Sequence, residues 1–232
     1  MTHRAGWSRA ARRGLLAVLT VVLMLAACSS PSARRAGRGP CGRAVAAGSL
    51  WVAGACGRRC GTWRTAMVHR GRRTTSTVGA LVSGLAVTRT AVWAACAGAG
   101  TLYRIDPRTG TAGPPLPTGA QPTWFARDEN NLFVSNPATD SVTQIDPDTG
   151  KEIRTVRAGR GPLDGTVATG YAWIINGRSG SVSKVDVHSG RIVATTLRFK
   201  TGIWVAERAF GSVWALDYSG NTVWRIDPER AA

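Results

Sequence analysis

The sequence has few of the residues and motifs that most enzymes use for catalysis. It contains three histidines, and one of them, His3, lies at the extreme N-terminus. A G-x-S-x-G nucleophile elbow, a P-loop and a paired-carboxylate motif are all missing from the sequence. These absences argue against an α/β-hydrolase, a P-loop nucleotide hydrolase and a two-carboxylate glycosidase.

Acidic residues are missing from the first part of the chain. No Asp or Glu occurs before Asp106, and the formal net charge of the whole chain is +17. A basic region near a membrane would be attracted to anionic lipid, although an Arg-, Ala- and Gly-rich composition is also what a GC-rich genome produces. No recognition motif accompanies the charge, so we expect no nucleic-acid partner.

The apolar run at residues 15–27 is too short to span a bilayer, which takes roughly 20 residues. Arginines precede it, and its end, LAAC at 25–28, resembles the lipobox of bacterial lipoproteins. That resemblance implies a signal peptide over 1–27 and an acylated Cys28 that inserts in the lipid bilayer. An ordinary cleaved signal peptide is the alternative. Residues 28–40 are rich in Ser, Gly, Pro and Arg and are predicted to form a flexible tether before a domain at 41–232.

Four cysteines remain after Cys28. An even number in an exported protein favours two disulfides with three possible pairings, and a zinc site is the alternative. The spacing is not of the paired C-x2-C kind, which disfavours zinc. The candidate disulfide cysteines are Cys41, Cys56, Cys60 and Cys96.

Two sets of residues recur with a period of about 40 residues. One set is acidic and ends phrases such as SVTQIDPDTG, and it consists of Asp106, Asp146, Asp186 and Asp227. The other set is aromatic, and it consists of Trp51, Trp93, Phe133, Trp173 and Trp214. A repeat of this length is typical of a solenoid or a propeller.

Each period contains four short β-forming runs, which are PTWFARD, NLFVSN, SVTQIDP and EIRTVRA in the clearest copy. In the third run Val142 and Ile145 are three residues apart, so in a strand they point to opposite faces of the sheet. Both faces must therefore be covered. We predict an all-β fold, a β-propeller of about five four-stranded blades.

The recurrent aspartates and aromatic residues have structural interpretations. In DPDTG, Asp146 can accept a hydrogen bond from a backbone N–H two residues on, Pro147 fixes φ, and Gly150 supplies the positive φ of a hairpin. We therefore interpret the four aspartates as turn residues rather than as a ring of metal-binding carboxylates. The aromatic residues are predicted to form the core between blades.

The stretch VTQIDPDTGKEIRTVRAGRGPLDGTVATGYAWIIN resembles the YVTN or YncE-like β-propeller repeat, including the bend GRGP at 159–162. The segment GAQP at 119–122 matches that bend one period earlier. The resemblance covers residues 83–230 and implies the fold rather than an activity. Streptogramin (virginiamycin B) lyases are similar propellers that use His and Glu residues with a magnesium ion. Neither His69 nor His188 matches the placement of those residues.

Blade counting predicts one blade over 43–80, three full repeats to about residue 200, and a last blade from 202 with three strands. The ring would close if residues 30–42 supplied the missing strand. The alternatives are a partial ring that pairs with another chain and a truncated reading frame. An unclosed ring would expose strand edges and apolar faces.

The segment RDENN at 127–131 differs from the corresponding turn of the other copies. It predicts a candidate ligand loop, for which a solvated surface loop is the alternative. The residues of this loop that could bind a cation or a polar ligand are Arg127, Asp128, Glu129 and Asn130.

Together these features predict an extracytoplasmic, membrane-anchored propeller that binds or scaffolds a protein or cell-envelope ligand. We expect no catalysis, no metal and no cofactor. The alternatives are a metal-dependent propeller lyase of the virginiamycin B lyase type, a propeller hydrolase, and a truncated fragment without function.

Overall fold

The computed structural model describes the backbone of residues 40–46, 49–54, 63–69, 72–118, 121–194, 199, 202–217 and 220–230. It describes side chains from residue 76 onward within these ranges, except that of residue 194. The predicted signal peptide, Cys28, Cys56, Cys60 and the side chain of Cys41 lie outside this description. Residues 40–232 form one compact unit, and every regular element described in it is a β-strand. Within the described ranges, no helix has the length and hydropathy to cross a membrane.

The strands form five antiparallel sheets in chain order, of which four have four strands and the last has three. The first sheet contains β1 (Pro40–Ala46), β2 (Ser49–Gly54), β3 (Trp63–His69) and β4 (Arg72–Val78), and the second contains β5 (Val82–Val87), β6 (Val92–Cys96), β7 (Thr101–Ile105) and β8 (Leu116–Pro117).

The third and fourth sheets repeat this meander, and the fifth repeats its first three strands. These sheets contain β9 (Phe125–Arg127), β10 (Leu132–Asn136), β11 (Ser141–Ile145) and β12 (Glu152–Arg157); β13 (Pro162–Ala168), β14 (Tyr171–Asn176), β15 (Ser181–Asp186) and β16 (Ile192–Ala194); and β17 (Ile203–Ala209), β18 (Ser212–Asp217) and β19 (Thr222–Ile226). The predicted number of blades, and the three strands of the last one, agree with these sheets.

Consecutive sheets meet along their first strands, because β1 lies next to β5, β5 next to β9, β9 next to β13, and β13 next to β17. We call this set of first strands the inner wall. Each sheet also packs a face against the next one, and the apolar clusters lie between the faces. As predicted, Val142 packs toward the fourth sheet and Ile145 toward the second.

Three of the five recurrent aromatic residues lie in these clusters, as predicted; the side chain of Trp51 is not described, and Trp214 lies outside the clusters. Trp93 is fully buried between the second and third sheets, Phe133 is 1% exposed between the third and fourth, and Trp173 is 1% exposed between the fourth and fifth. In the described part of the chain the fifth sheet packs one face against the fourth sheet, while on its other face Trp214 is half-buried and Val223 is 58% exposed.

The recurrent aspartates lie in the turn that follows the third strand of the second to fifth sheets. Asp146 Oδ1 accepts hydrogen bonds from the backbone N–H groups of Asp148 at 2.8 Å and Thr149 at 3.0 Å. These bonds, that of Thr149 first, lower the pKa of Asp146. Gly150 has φ of +78° in the same turn. Asp106, Asp186 and Asp227 accept corresponding backbone bonds, which is the pattern that a turn role requires.

Residues 30–42 do not complete the last sheet in the part that is described. Pro40 and Gly42 belong to β1 and pair with Gly54 and Ala53 of β2 in the first sheet. The predicted closure is therefore wrong for residues 40–42, because these residues belong to the first sheet and the fifth sheet consists of β17, β18 and β19.

Of the four candidate disulfide cysteines, Cys96 alone has a described side chain, and it is a free thiol buried at the end of β6. Burial raises its pKa to about 11. The pairing of Cys41, Cys56 and Cys60 stays a prediction.

Candidate binding site on the inner wall

Three ionisable side chains lie on consecutive strands of the inner wall. Arg127 ends β9, Asp164 lies in β13, and Glu207 lies in β17. The charge of Arg127 acts on both carboxylates, and the charge of Glu207 acts on Asp164. The three side chains therefore form one electrostatic cluster, which we call the inner-wall cluster.

A β-bulge places Asp164 in this position. The pairing of β13 with β14 shifts register between Pro162 and Gly165, so Leu163 and Asp164 lie outside the regular ladder. Burial raises the pKa of the Asp164 carboxyl group, and the backbone N–H groups of Gly165 and Ala206 act on this group and oppose that rise. Because Ala206 belongs to β17 and β13 lies next to β17, Asp164 lies where the first strands of the fourth and fifth sheets meet.

Gly165 allows the inner wall to pack closely beside this bulge. A Cβ atom at this position would lie 2.5 Å from the carbonyl oxygen of Trp173 and 2.9 Å from Cβ of Ala126 on β9. Any larger residue would push β13 away from β9 or from its own partner strand. Because Gly165 has no Cβ atom, the strand that carries Asp164 can lie close to the strand that carries Arg127.

The inner-wall cluster is surrounded by protein but remains open to solvent. Arg127 and Glu207 have exposed side chains and Asp164 is half-buried. Burial nevertheless raises the pKa of Asp164 to about 8, raises the pKa of Glu207 and lowers the pKa of Arg127. Partial desolvation with access for a ligand is typical of a concave binding surface.

The cluster offers both hydrogen-bond donors and acceptors. Near neutral pH the carboxyl group of Asp164 is largely protonated and can donate or accept, while Arg127 donates in a planar fork. Glu207 supplies a further carboxyl group. A carboxyl group whose pKa lies near neutrality could also transfer a proton.

Of the predicted ligand loop, Arg127 alone joins this cluster. Asp128 is engaged in its own turn, where Oδ1 accepts bonds from the backbone N–H groups of Asn130 at 2.9 Å and Asn131 at 2.7 Å. Glu129 and Asn130 are exposed at the tip of that turn. The four residues therefore do not converge on one ligand.

The histidines do not contribute to the described part of the inner wall. His188 is exposed in the turn after β15, and its backbone N–H donates to Asp186 Oδ1 at 3.0 Å. His69 ends β3, and its side chain is not described. Within the described ranges, no group of three His, Cys, Asp or Glu side chains is arranged to hold a metal ion.

The sequence analysis missed Asp164 and Glu207. Pairing shows that Glu207 occupies the position held by Ala86, Ala126 and Thr166 in the preceding sheets. A charged residue at a position that is otherwise small was a signal in the sequence. Asp164 had no such signal, because its position depends on a register shift.

A shallow cavity of about 360 Å³ lies where the fourth and fifth sheets meet at their first turns. Its lining residues include Thr169, Arg208, Phe210 and Pro228. Phe210 is 60% exposed, so this end of the inner wall presents an aromatic ring and a guanidinium group to solvent.

No protein-family model matches the chain, and no curated protein matches it either. Solved structures do match. Virginiamycin B lyase from Staphylococcus aureus has a TM-score of 0.66 and 17% identity, over 82% of this chain and 67% of that chain. The WD40 β-propeller domain of Doa1 has a TM-score of 0.65 and 14% identity, over 84% of this chain and 66% of that chain.

The computationally designed Ika8 protein has a TM-score of 0.64 and 13% identity, over 83% of this chain. The chain spans 60% of the length of that protein. Identities this low carry information on the fold alone. The five consecutive antiparallel sheets and these structural similarities show that the chain has a β-propeller fold.

Proposed function

We propose that this chain is an extracytoplasmic binding module, anchored to the membrane through acylated Cys28, whose ligand contacts the inner-wall cluster. The observation that supports the proposal is the convergence of Arg127, Asp164 and Glu207 from three consecutive sheets. A purely structural wall needs no such group of partly desolvated, solvent-accessible charges. The anchor is supported by the lipobox-like LAAC at 25–28.

The charges of the cluster indicate the class of ligand. A guanidinium group prefers a carboxylate, and a carboxyl group beside it prefers an amine or a hydroxyl group. A short peptide with both a free carboxylate and a free amine offers these groups. The peptide stems of the bacterial cell envelope belong to this chemical class, and a lipid-anchored protein would meet them.

The test is calorimetric titration of the full-length chain in detergent with soluble peptidoglycan stem peptides. We expect binding that weakens at least tenfold in Arg127→Ala and in Asp164→Ala. Glu129→Ala is the matched control, because it removes an exposed charge two residues from Arg127 without touching the cluster. Equal affinity in all four proteins would reject the cluster as the site, and no binding to the wild type would reject the ligand class.

Anchoring is tested separately in a bacterial host. The wild type is expected in the membrane fraction, and Cys28→Ala is expected in the medium. Retention of Cys28→Ala in the membrane fraction would contradict acylation at this residue.

A propeller lyase is the second candidate, and one observation favours it. Asp164 and Glu207 are carboxyl groups with raised pKa values on the inner wall, as a general acid or base requires. The test is incubation of the chain with virginiamycin B and magnesium. Turnover that is lost in Asp164→Asn would support the lyase, and absence of turnover in the wild type would reject it.

A further inference from the structure

The fifth sheet has a face that packs against nothing in the described structure. Two cross-strand rows form this face: Val205, Leu216 and Val223 in one, and Glu207, Trp214 and Arg225 in the other. We call the two rows the outer face. Val223 is 58% exposed, and Leu216 and Trp214 are half-buried.

In the preceding sheets the same face is covered by the next sheet. Phe133 and Trp173 hold the position of Trp214, and each is 1% exposed. The difference in burial does not come from the residues, since the fifth sheet has the same ring at the same position. It comes from the outer face having no neighbouring sheet among the described residues.

A hydrogen bond from the third strand of a sheet to the next sheet shows the same difference between the covered faces and the outer face. Gln144, paired with Phe133, donates from Nε2 to the carbonyl oxygen of Val187 in the next sheet at 2.9 Å. Lys184, paired with Trp173, donates from Nζ to the carbonyl oxygen of Pro228 in the next sheet at 3.3 Å. Each bond reaches the turn that follows the third strand of the neighbouring sheet.

Arg225 holds this position in the fifth sheet. Its Nε donates to Ser212 Oγ at 2.9 Å, within its own sheet. The guanidinium group therefore lies on the outer face, on an exposed side chain, with further N–H groups that could reach a partner.

The bulge residues at the start of the first strands also contact the next sheet where one is present. Ser83 Oγ donates to the carbonyl oxygen of Thr123 in the next sheet at 3.1 Å, and the backbone N–H of Ala206 in the next sheet acts on the carboxyl group of Asp164. Trp204 is the corresponding bulge residue of β17 and is 56% exposed. Trp214 and Arg225 on the outer face, and Trp204 beside it, thus hold positions that contact the next sheet in preceding repeats.

The row that contains Glu207 and Arg225 indicates which surface could cover the outer face. It reads Glu207, Trp214, Arg225 from the inner strand to the outer strand. If a copy of this row is turned by a twofold axis parallel to the strands, Glu207 meets the copy's Arg225 and the two Trp214 rings meet each other. The apolar row beside it meets its own copy, and two sheets packed at about 10 Å would bury both rows.

We propose that the outer face is the contact surface between two copies of this chain, paired about a twofold axis that places Glu207 of each copy against Arg225 of the other. The proposal shares Glu207 with the inner-wall cluster, but its tests measure association of the chain in the absence of ligand, so its failure is distinguishable from failure of the proposed function. In this arrangement the apolar rows of the two copies bury each other, and two Glu207–Arg225 pairs join opposite charges across the contact.

The first test is the mass of the full-length chain in detergent, measured by sedimentation velocity. We expect a dimer for the wild type and a monomer for Val223→Asp, which puts a charge in the apolar row at an exposed position. A monomeric wild type would overturn the proposal, whether its outer face is free or covered by its own first sheet.

The second test separates the twofold pairing from any other contact. Glu207→Arg and Arg225→Glu should each be monomeric alone, because each places like charges opposite each other twice. An equimolar mixture of the two should form a heterodimer, because both contacts then join opposite charges. Mixing without dimer formation would overturn the twofold arrangement.

The control removes the effect of net charge. Glu152→Arg and Arg157→Glu change the charge of the chain by the same amounts, on exposed positions of β12. Each should be dimeric by itself, as the wild type is. If these variants lose the dimer in the same way, long-range charge rather than the outer face controls association, and the proposal fails.

Discussion

The junction between the fourth and fifth sheets and the outer face of the fifth sheet contain equivalent residues in different environments. At the junction Trp173 is 1% exposed and Lys184 bonds across to the next sheet. On the outer face Trp214 is half-buried and Arg225 bonds within its own sheet. The same residue types therefore form a core in one place and an accessible surface in the other.

Each repeat therefore specifies a sheet face that can pack against another sheet, and it does not by itself specify that the face is buried. Each copy supplies an aromatic ring and a long polar side chain, and burial depends on whether another sheet follows. Because apolar burial stabilises in proportion to the area removed from water, equivalent substitutions should have very different costs at the two places.

The largest difference is expected for the tryptophans themselves. Trp173→Ala removes a fully packed ring and should lower the free energy of unfolding by about 3–5 kcal/mol. Trp214→Ala should cost less than half as much in dilute protein, where the outer face is free. Denaturant unfolding followed by circular dichroism measures both.

The same pair also tests the dimer. At high protein concentration the cost of Trp214→Ala should increase, because the pairing of copies then contributes to stability. A cost for Trp214→Ala as large as that of Trp173→Ala in dilute protein would mean that the outer face is already covered.

Close packing of the inner wall should give the next effect. Gly165→Ala places a methyl group 2.5 Å from the carbonyl oxygen of Trp173, and the resulting shift should cost about 1–3 kcal/mol. Gly113→Ala is the control, because its Cβ would lie 3.4 Å from the carbonyl oxygen of Arg104 at an ordinary φ. Equal stability of both variants would contradict a tightly packed junction.

Much of the fold could be predicted from the repeat. The spacing of the aromatic residues and the DPDTG turns located the sheets, and Val142 with Ile145 showed that both faces are covered. These features are local, because each turn and each alternation is decided within a few residues.

The site could be predicted only in part. Arg127 was noticed because its turn differs from the other copies, but the turn itself is closed by Asp128. Asp164 depends on a bulge, and its approach to β17 depends on how consecutive sheets pack. Neither a register shift nor the packing of neighbouring sheets is encoded in a short motif, so the cluster could not be found without the structure.

A separate effect is expected in the pH dependence of stability. The pKa of Asp164 is raised to about 8 in the folded chain, against about 3.9 for an unperturbed Asp. Between these values the folded state holds a proton that the unfolded state has lost. The free energy of unfolding should therefore fall as pH rises from about 4 to about 8 and then level off.

Asp164→Asn should remove this part of the slope, because the amide does not titrate. The measurement is the denaturant midpoint of both proteins at several pH values, with Glu129→Gln as a control that keeps the wild-type slope. A slope that is the same in Asp164→Asn and in the wild type would contradict the raised pKa.

The smallest effect concerns the polar contacts between sheets. Gln144→Met keeps most of the side-chain volume but leaves the carbonyl oxygen of Val187 without its donor, which should cost about 1 kcal/mol. The cost is limited because Gln144 also buries an Oε1 atom that has no partner, and methionine removes that penalty. Arg225→Met should cost close to nothing in dilute protein, since water can replace its exposed contact. Equal costs for the two variants would mean that the hydrogen bond from Gln144 to the next sheet adds nothing to the stability of the packed sheets. The junction and the outer face would then differ only in the burial of apolar side chains.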